Sequence, residues 1–123
     1  MLKEKDVAGA LNIGLIQQTV TYALHGGYNV VLEGILFREH YGEMLGRLAA
    51  RYHGHTFPYY FDIPFKETLI RHATKPNAHE FGEDQMRDWY APMDTLGISG
   101  ETIIGSDLSA NDLVALILRE TKI

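Results

Sequence analysis

A short apolar run that breaks at a carboxylate and a glycine constrains the fold of this chain more than any other feature. Residues 28–36 read YNVVLEGIL. The consecutive apolar residues Val30, Val31 and Leu32 are typical of a strand that is buried on both faces of a parallel sheet. Because open α/β sheets bind ligands at the carboxyl ends of their strands, the break at Glu33 and Gly34 predicts a ligand site.

Two further segments are predicted strands, and helical patterns separate all three. Residues 57–61 and 102–104 are apolar, with Pro58 near a strand start because proline cannot donate to an interior ladder. Apolar spacing of 3.6 residues predicts helices over residues 12–25 and 39–53. Further helices are predicted over residues 64–75, which two prolines delimit, and over 82–90 and 109–117. The alternation predicts an α/β fold with a parallel sheet of about three strands, which is small for this class.

The ends of the predicted helices carry recognisable signals. Gly26 and Gly27 predict a left-handed end to the first helix. Pro64 suits a helix start. Asp62 is interpreted as a cap of that helix, and this role is favoured over an indirect one in binding Mg²⁺. Ser109, with an acidic residue three positions later, predicts the start of the last helix.

Size and charge favour one domain that acts on small molecules. The 123 residues are 46% hydrophobic, enough for a packed core, and the net charge of -5 argues against nucleic acid or anionic membrane as partner. The chain has no cysteine, no apolar run long enough to span a membrane, and no signal-peptide pattern at its start. A cytoplasmic location is therefore expected.

Three blocks of sequence, taken in order, resemble a known family. They are VLEGIL at 31–36, YFDIPFKETLIRHATKP at 60–76 and EFGEDQMRDWY at 80–90. Together they look like small P-loop kinases related to zeta toxin and chloramphenicol phosphotransferase. The resemblance implies a three-layer parallel sheet of P-loop kinase type, of which residues 1–123 form a single C-terminal portion. It also implies a lid-like helical segment at about 66–92 and the use of ATP and Mg²⁺.

The defining motif of that family is absent. The pattern G-x-x-x-x-G-K-[ST] requires a lysine after a glycine, and no lysine of this chain follows one. We therefore expect an N-terminally truncated kinase, inactive as this fragment, with ATP and Mg²⁺ bound only if a P-loop lies upstream. Most of the stabilisation of the transferring phosphoryl group comes from that loop.

Two arginines carry the catalytic expectation. The resemblance assigns Arg71 and Arg87 to neutralising charge on the transferring phosphoryl group, and Lys75 to binding the nucleotide. Spacing alone allows a different interpretation. Arg71 could form a surface ion pair with Glu67, and Arg87 with Glu83, because each glutamate lies four residues earlier. Arg71 and Lys75, also four apart, are expected on one face of one helix.

The remaining site residues follow predicted strands. The resemblance implies that Glu33, Gly34 and Arg38 bind the substrate, and that Gly105 and Asp107 contact the nucleotide. The other readings are a solvated carboxylate at Glu33, a simple turn at Gly34 and an exposed arginine at Arg38.

We expect no metal site made of protein side chains alone. His53 and His55 lack carboxylates at ligand spacing and are interpreted as surface residues, and His72 is ambiguous. Aromatic residues in a short amphipathic helix usually pack, so packing is favoured over ligand stacking for Phe81, Trp89 and Tyr90.

The leading hypothesis is an ATP-dependent kinase that phosphorylates a hydroxyl of a small molecule. A second hypothesis is a noncatalytic binding or oligomerising module derived from a kinase fold, in which a homo-oligomer covers exposed sheet edges. A third is a toxin-type kinase that acts on a nucleotide sugar. The acceptor distinguishes the first hypothesis from the third, and the sequence contains no feature that identifies the acceptor.

Overall fold

A computed structural model describes residues 10–123, which divide into two compact units at the boundary between Thr56 and Phe57. The described chain is mixed α/β, with five α-helices and a parallel sheet of two strands. None of the helices in this part of the chain is long and apolar enough to cross a membrane.

The described part of the first unit contains helices α1 (Leu11–His25) and α2 (Arg38–Arg51), which confirms two predicted helices. The end of α1 confirms the predicted glycine cap. Gly27 has a φ of 84°, and the N–H of Tyr28 reaches back to the carbonyl of Ala23 at 3.1 Å. This six-residue closure satisfies carbonyls that a helix end otherwise leaves unpaired.

The core of the first unit lies between these two helices. Ile13 from α1 packs with three residues of α2 that share one face, namely Tyr41, Met44 and Leu48. Met44 is the most deeply buried side chain. The 3–4 spacing of the α2 residues is the cause, because residues three and four apart lie on one side of a helix.

The predicted strand at residues 30–32 is wrong. The chain from Tyr28 to Phe37 is irregular, and Val31 is 90% exposed rather than buried on both faces. An apolar run becomes a strand only when another strand pairs with its N–H and C=O groups. Within the described residues the sheet holds two strands, neither from this segment, so Glu33 and Gly34 do not follow a strand.

The second unit contains the sheet. Strand β1 (Tyr59–Phe61) pairs in parallel with β2 (Thr102–Ile104), with Tyr60 opposite Ile103. These strands confirm two of the three that were predicted. Between them lie α3 (Phe65–Ala73), a short 3₁₀ helix (Ala78–Glu80) and α4 (Glu83–Trp89), and α5 (Ala110–Thr121) follows β2.

Helix α5 begins as predicted, but α3 does not. The Ser109 hydroxyl accepts a hydrogen bond from the Asp112 N–H at 3.1 Å, which caps α5. Pro64 is the N-cap of α3 and no side chain caps it, so the capping role expected of Asp62 is wrong. The Asp62 N–H instead donates to the Ile104 carbonyl at 2.8 Å. This bond holds Asp62 in line with β1, two residues before the N-cap position of α3.

Tyrosine hydroxyls attach the connection between the strands to β1. The Tyr60 hydroxyl donates to the Ala91 carbonyl at 2.9 Å and accepts from the Asp94 N–H at 3.0 Å. The Tyr90 hydroxyl donates to the Ile63 carbonyl at 2.9 Å. The chain just after α4 is therefore attached to β1 through Tyr60 and, through Tyr90, to a residue two positions beyond β1.

A carboxylate closes the loop that leads into β2. Glu101 accepts hydrogen bonds from the N–H groups of Leu96 and Gly97, at 2.9 and 3.0 Å, through separate oxygens. Gly97 has a φ of 71°, a backbone conformation that glycine adopts without strain. Two successive amides thus form a small anion-binding nest that the side chain of the same loop already fills.

Tyr59 joins β1 to α5 and responds to pH. Its hydroxyl donates to Glu120 Oε2 at 2.5 Å. Burial, together with the hydrogen bond and the charge of Glu120, raises the pKa of Tyr59 to about 12 from 10.0. The folded protein therefore holds this proton more tightly than the unfolded chain does. The resulting stabilisation is complete below pH 10 and is lost as the pH rises from 10 to 12.

We expect Tyr59→Phe to lower the free energy of unfolding by about 1 kcal/mol at pH 8, because it removes one hydrogen bond to a charged group. The difference from the unmodified protein should shrink between pH 10 and 12. Urea unfolding at a series of pH values measures this, with Tyr28→Phe as the control because that ring is exposed. A difference that stays constant up to pH 12 would contradict the assignment.

Candidate functional site

The carboxyl ends of β1 and β2 meet at one edge of the second unit, which we call the carboxyl edge. Because the two strands are parallel and Phe61 lies opposite Ile104, the residues that follow them leave the sheet side by side. They are Asp62 after β1 and Gly105, Ser106 and Asp107 after β2. This is where open α/β sheets bind ligands.

Arg71 reaches the carboxyl edge from α3. Its Nη2 donates to the carbonyl oxygen of Ser106 at 3.1 Å, and its Nε donates to Glu67 Oε1 at 3.2 Å. The structure therefore brings Arg71 to the loop that contains Gly105 and Asp107. It also contains the ion pair with Glu67 that spacing alone allowed.

The loop after β2 is tightly folded. A Cβ placed on Gly105 would lie 2.9 Å from Asp107 Oδ1, so the Asp107 carboxylate folds back over the glycine. Asp107 is exposed, and the Ser106 carbonyl accepts the hydrogen bond from Arg71.

Arg87 lies on α4 and has different partners. Its Nη2 is 2.8 Å from Glu83 Oε1, and its guanidinium carbon is 4.8 Å from the centre of the Phe65 ring. Phe65 is the first residue of α3, six positions before Arg71 and therefore about 9 Å away along the helix axis. The two arginines thus share no partner, and the ion pair with Glu83 allowed by spacing is present.

Lys75 does not share a helix with Arg71, which corrects the prediction. Helix α3 ends at Ala73, where the Thr74 hydroxyl donates to the Arg71 carbonyl at 2.7 Å. Lys75 lies in the turn before Pro76, a position that disfavours helical backbone. The four-residue spacing therefore does not place the two side chains on one helical face.

The substrate-binding predictions lie in the first unit. Glu33 and Gly34 are exposed in the irregular segment between α1 and α2, and Arg38 is the first residue of α2. The side chain of Arg38 lies over Gly42, where an added Cβ would be 3.1 Å from Arg38 Cγ. The roles of these three residues in binding a substrate stay predictions.

His72, whose role is ambiguous from the sequence, is buried. Its Nε2 lies 3.0 Å from the Ala78 carbonyl and 2.9 Å from the Phe81 carbonyl, so this nitrogen carries the hydrogen. Its ring stacks on Phe81 at 4.4 Å. A pattern could have found it, because Phe65, Leu69 and His72 follow one helical face.

The aromatic residues of this region pack against one another, as favoured. Phe81 contacts Trp89 at 5.1 Å between ring centres, and Phe65 contacts Tyr90 at 5.4 Å. His53 and His55 are exposed, as expected. No group of three or more histidine, aspartate or glutamate side chains in the described chain is placed to hold a metal ion.

We expect His72→Ala to destabilise the second unit by roughly 2–3 kcal/mol, because it removes a buried ring and leaves two carbonyls without their donor. Trp89 is the only tryptophan in the chain and contacts Phe81, so its fluorescence during urea unfolding reports on this unit. His79→Ala, at an exposed neighbour, should change stability by less than about 0.5 kcal/mol. Equal effects of the two substitutions would show that the His72 contacts do not hold this unit together.

Comparisons of the chain with models of known protein families, with curated proteins and with solved structures found no match.

Proposed function

We propose that the protein is kinase-like and that its carboxyl edge binds the phosphate groups of ATP, as in enzymes that transfer the γ-phosphoryl group to a hydroxyl of a small molecule. The observation that carries the proposal is the hydrogen bond from Arg71 to the Ser106 carbonyl. It fixes a guanidinium group at the end of two parallel strands, where phosphate ligands bind in α/β proteins. The resemblance of three sequence blocks to small P-loop kinases supports the same assignment.

The geometry leaves Arg71 able to bind a phosphate. A guanidinium has five N–H donors, and the contacts with Glu67 and Ser106 use two of them. The remaining donors form the planar fork that matches phosphate oxygens. The ion pair with Glu67 orients the side chain and costs little to rearrange, because half-exposed pairs of this kind contribute at most about 1 kcal/mol.

Arg87 acts in this proposal as a second cationic group, carried by α4. Its guanidinium group contacts Phe65 at the start of α3 rather than the loop after β2. Arg87 therefore reaches the phosphate groups only if the ligand extends toward α4 or α4 moves toward the ligand. Mg²⁺ accompanies ATP through its phosphate oxygens, as in other kinases.

The sequence contains no Walker A motif, so we propose nucleotide binding without phosphoryl transfer for this chain. This absence is also the observation that favours the second candidate function, a noncatalytic binding module. The two candidates differ in one measurable respect. A noncatalytic module that no longer uses nucleotides does not bind ATP.

We expect isothermal titration calorimetry to detect binding of Mg²⁺–ATP to the full chain and Arg71→Ala to weaken it at least about tenfold, because a charged bidentate contact to phosphate is lost. Arg119→Ala is the matched control. That arginine is exposed on α5, and its loss should change the affinity less than about twofold.

Glu67→Gln supplies a second test at the same place. It keeps a hydrogen-bonding group for Arg71 but removes a negative charge, so it should leave the affinity for Mg²⁺–ATP unchanged or increase it. Absence of ATP binding at millimolar concentration would favour the noncatalytic module. Binding that Arg71→Ala leaves intact would place the nucleotide elsewhere.

A further inference from the structure

The loop after β2 places a negative charge beside the cation of the carboxyl edge. Asp107 directly follows Ser106, whose carbonyl oxygen accepts the hydrogen bond from Arg71 at 3.1 Å. Standard bond lengths therefore keep the Asp107 carboxylate within about 10 Å of the Arg71 guanidinium group. A phosphate group that binds Arg71 consequently lies close to this carboxylate.

The Asp107 carboxylate lies over the end of β2. Its Oδ1 is beside Gly105, where an added Cβ would be only 2.9 Å away. Gly105 is the first residue after β2, so the folded-back carboxylate stays at the carboxyl edge. Arg71 and Asp107 thus reach the same edge of the sheet from two different elements, α3 and the loop before α5.

Asp107 has both carboxylate oxygens available for a ligand. The side chain is exposed, and Arg71 forms its ion pair with Glu67 rather than with Asp107. Among the residues that the structure describes, no group donates a hydrogen bond to this carboxylate. An ionised carboxylate is an acceptor only, so it binds a ligand through the O–H or N–H donors of that ligand.

We propose that Asp107 accepts hydrogen bonds from the ribose hydroxyls of a nucleotide whose phosphate groups bind Arg71, so that the site selects nucleotides over phosphate groups alone. This role rests on the proposed function of the carboxyl edge, to which it adds the part of the ligand that is not phosphate. An acidic side chain binds ribose in the same way in dinucleotide-binding α/β folds.

The charge of Asp107 is the reason that the ligand needs a part with hydroxyl groups. A carboxylate repels phosphate groups, and at a separation of about 10 Å salt screens this repulsion only in part. Inorganic tripolyphosphate therefore experiences the attraction of Arg71 together with the repulsion of Asp107. ATP experiences both as well, but its ribose also donates charge-assisted hydrogen bonds, which are about twice as strong as neutral ones. The two residues together discriminate between these ligands, which Arg71 alone does not.

Three ligands that share a triphosphate test the role of the ribose. We expect isothermal titration calorimetry of the full chain with Mg²⁺ to show ATP binding at least about tenfold more tightly than tripolyphosphate. The analogue 2′,3′-dideoxy-ATP keeps the base and the charge of ATP but lacks both ribose hydroxyls. Its affinity should therefore fall at least about fivefold below that of ATP.

Asp107→Asn tests the residue with almost no change of shape. It removes the repulsion of tripolyphosphate and weakens the acceptor for ribose, so the ratio of the dissociation constants of tripolyphosphate and ATP should fall at least about fivefold. Loss of the ribose hydroxyls should then weaken binding less than about twofold. Asp112→Asn is the matched control, because it removes the same charge from an exposed carboxylate on α5 and should leave the ratio unchanged.

Circular dichroism establishes that each variant is folded before its affinities are measured. Equal binding of all three ligands by the unmodified chain, weakened for all three by Arg71→Ala, would overturn the role of Asp107 and leave phosphate binding at the carboxyl edge standing. A ratio of dissociation constants that Asp107→Asn does not change would have the same meaning. If none of the three ligands binds, both the role of Asp107 and the proposed function are wrong.

Discussion

The parallel pairing of β1 with β2 is the contact on which the second unit depends. Parallel neighbours cannot be joined by a tight turn, so the chain must leave the sheet and return to the same end of it. Everything between Asp62 and Glu101 is that return path. The pairing therefore determines where α3 and α4 lie, and it places the loop after β2 beside the residue that ends β1.

The carboxyl edge results from that topology rather than from any special residue. Arg71 reaches the Ser106 carbonyl because only three residues separate β1 from α3, which runs past the end of β2. The same arginine is held by Glu67, so its position is set before a ligand arrives. Preorganised cations of this kind lose less conformational entropy on binding than side chains that must first be ordered.

Helices were predictable from this sequence because their signals are local. The glycines after α1, the 3–4 spacing of Tyr41, Met44 and Leu48, and the Ser109 cap each act within a few residues. Strand pairing is not local, and the run at 30–32 has the composition of a buried strand but pairs with no strand of the described chain. The contact between Arg71 and Ser106 spans 35 residues and uses a backbone carbonyl, which no side-chain pattern reveals.

The tyrosine hydroxyls that attach the return path to β1 also bear on how quickly the sheet can form. Closing a single loop of about forty residues carries an entropic cost that must be met before β1 and β2 gain any pairing energy. The bonds from Tyr90 to Ile63 and from Tyr60 to Asp94 divide that loop, and the Glu101 carboxylate closes the last part by itself. The Tyr90 bond spans 27 residues, so it meets most of that entropic cost, and the contacts of Asp94 and Glu101 then bring the end of the loop back to β1 in steps of a few residues each.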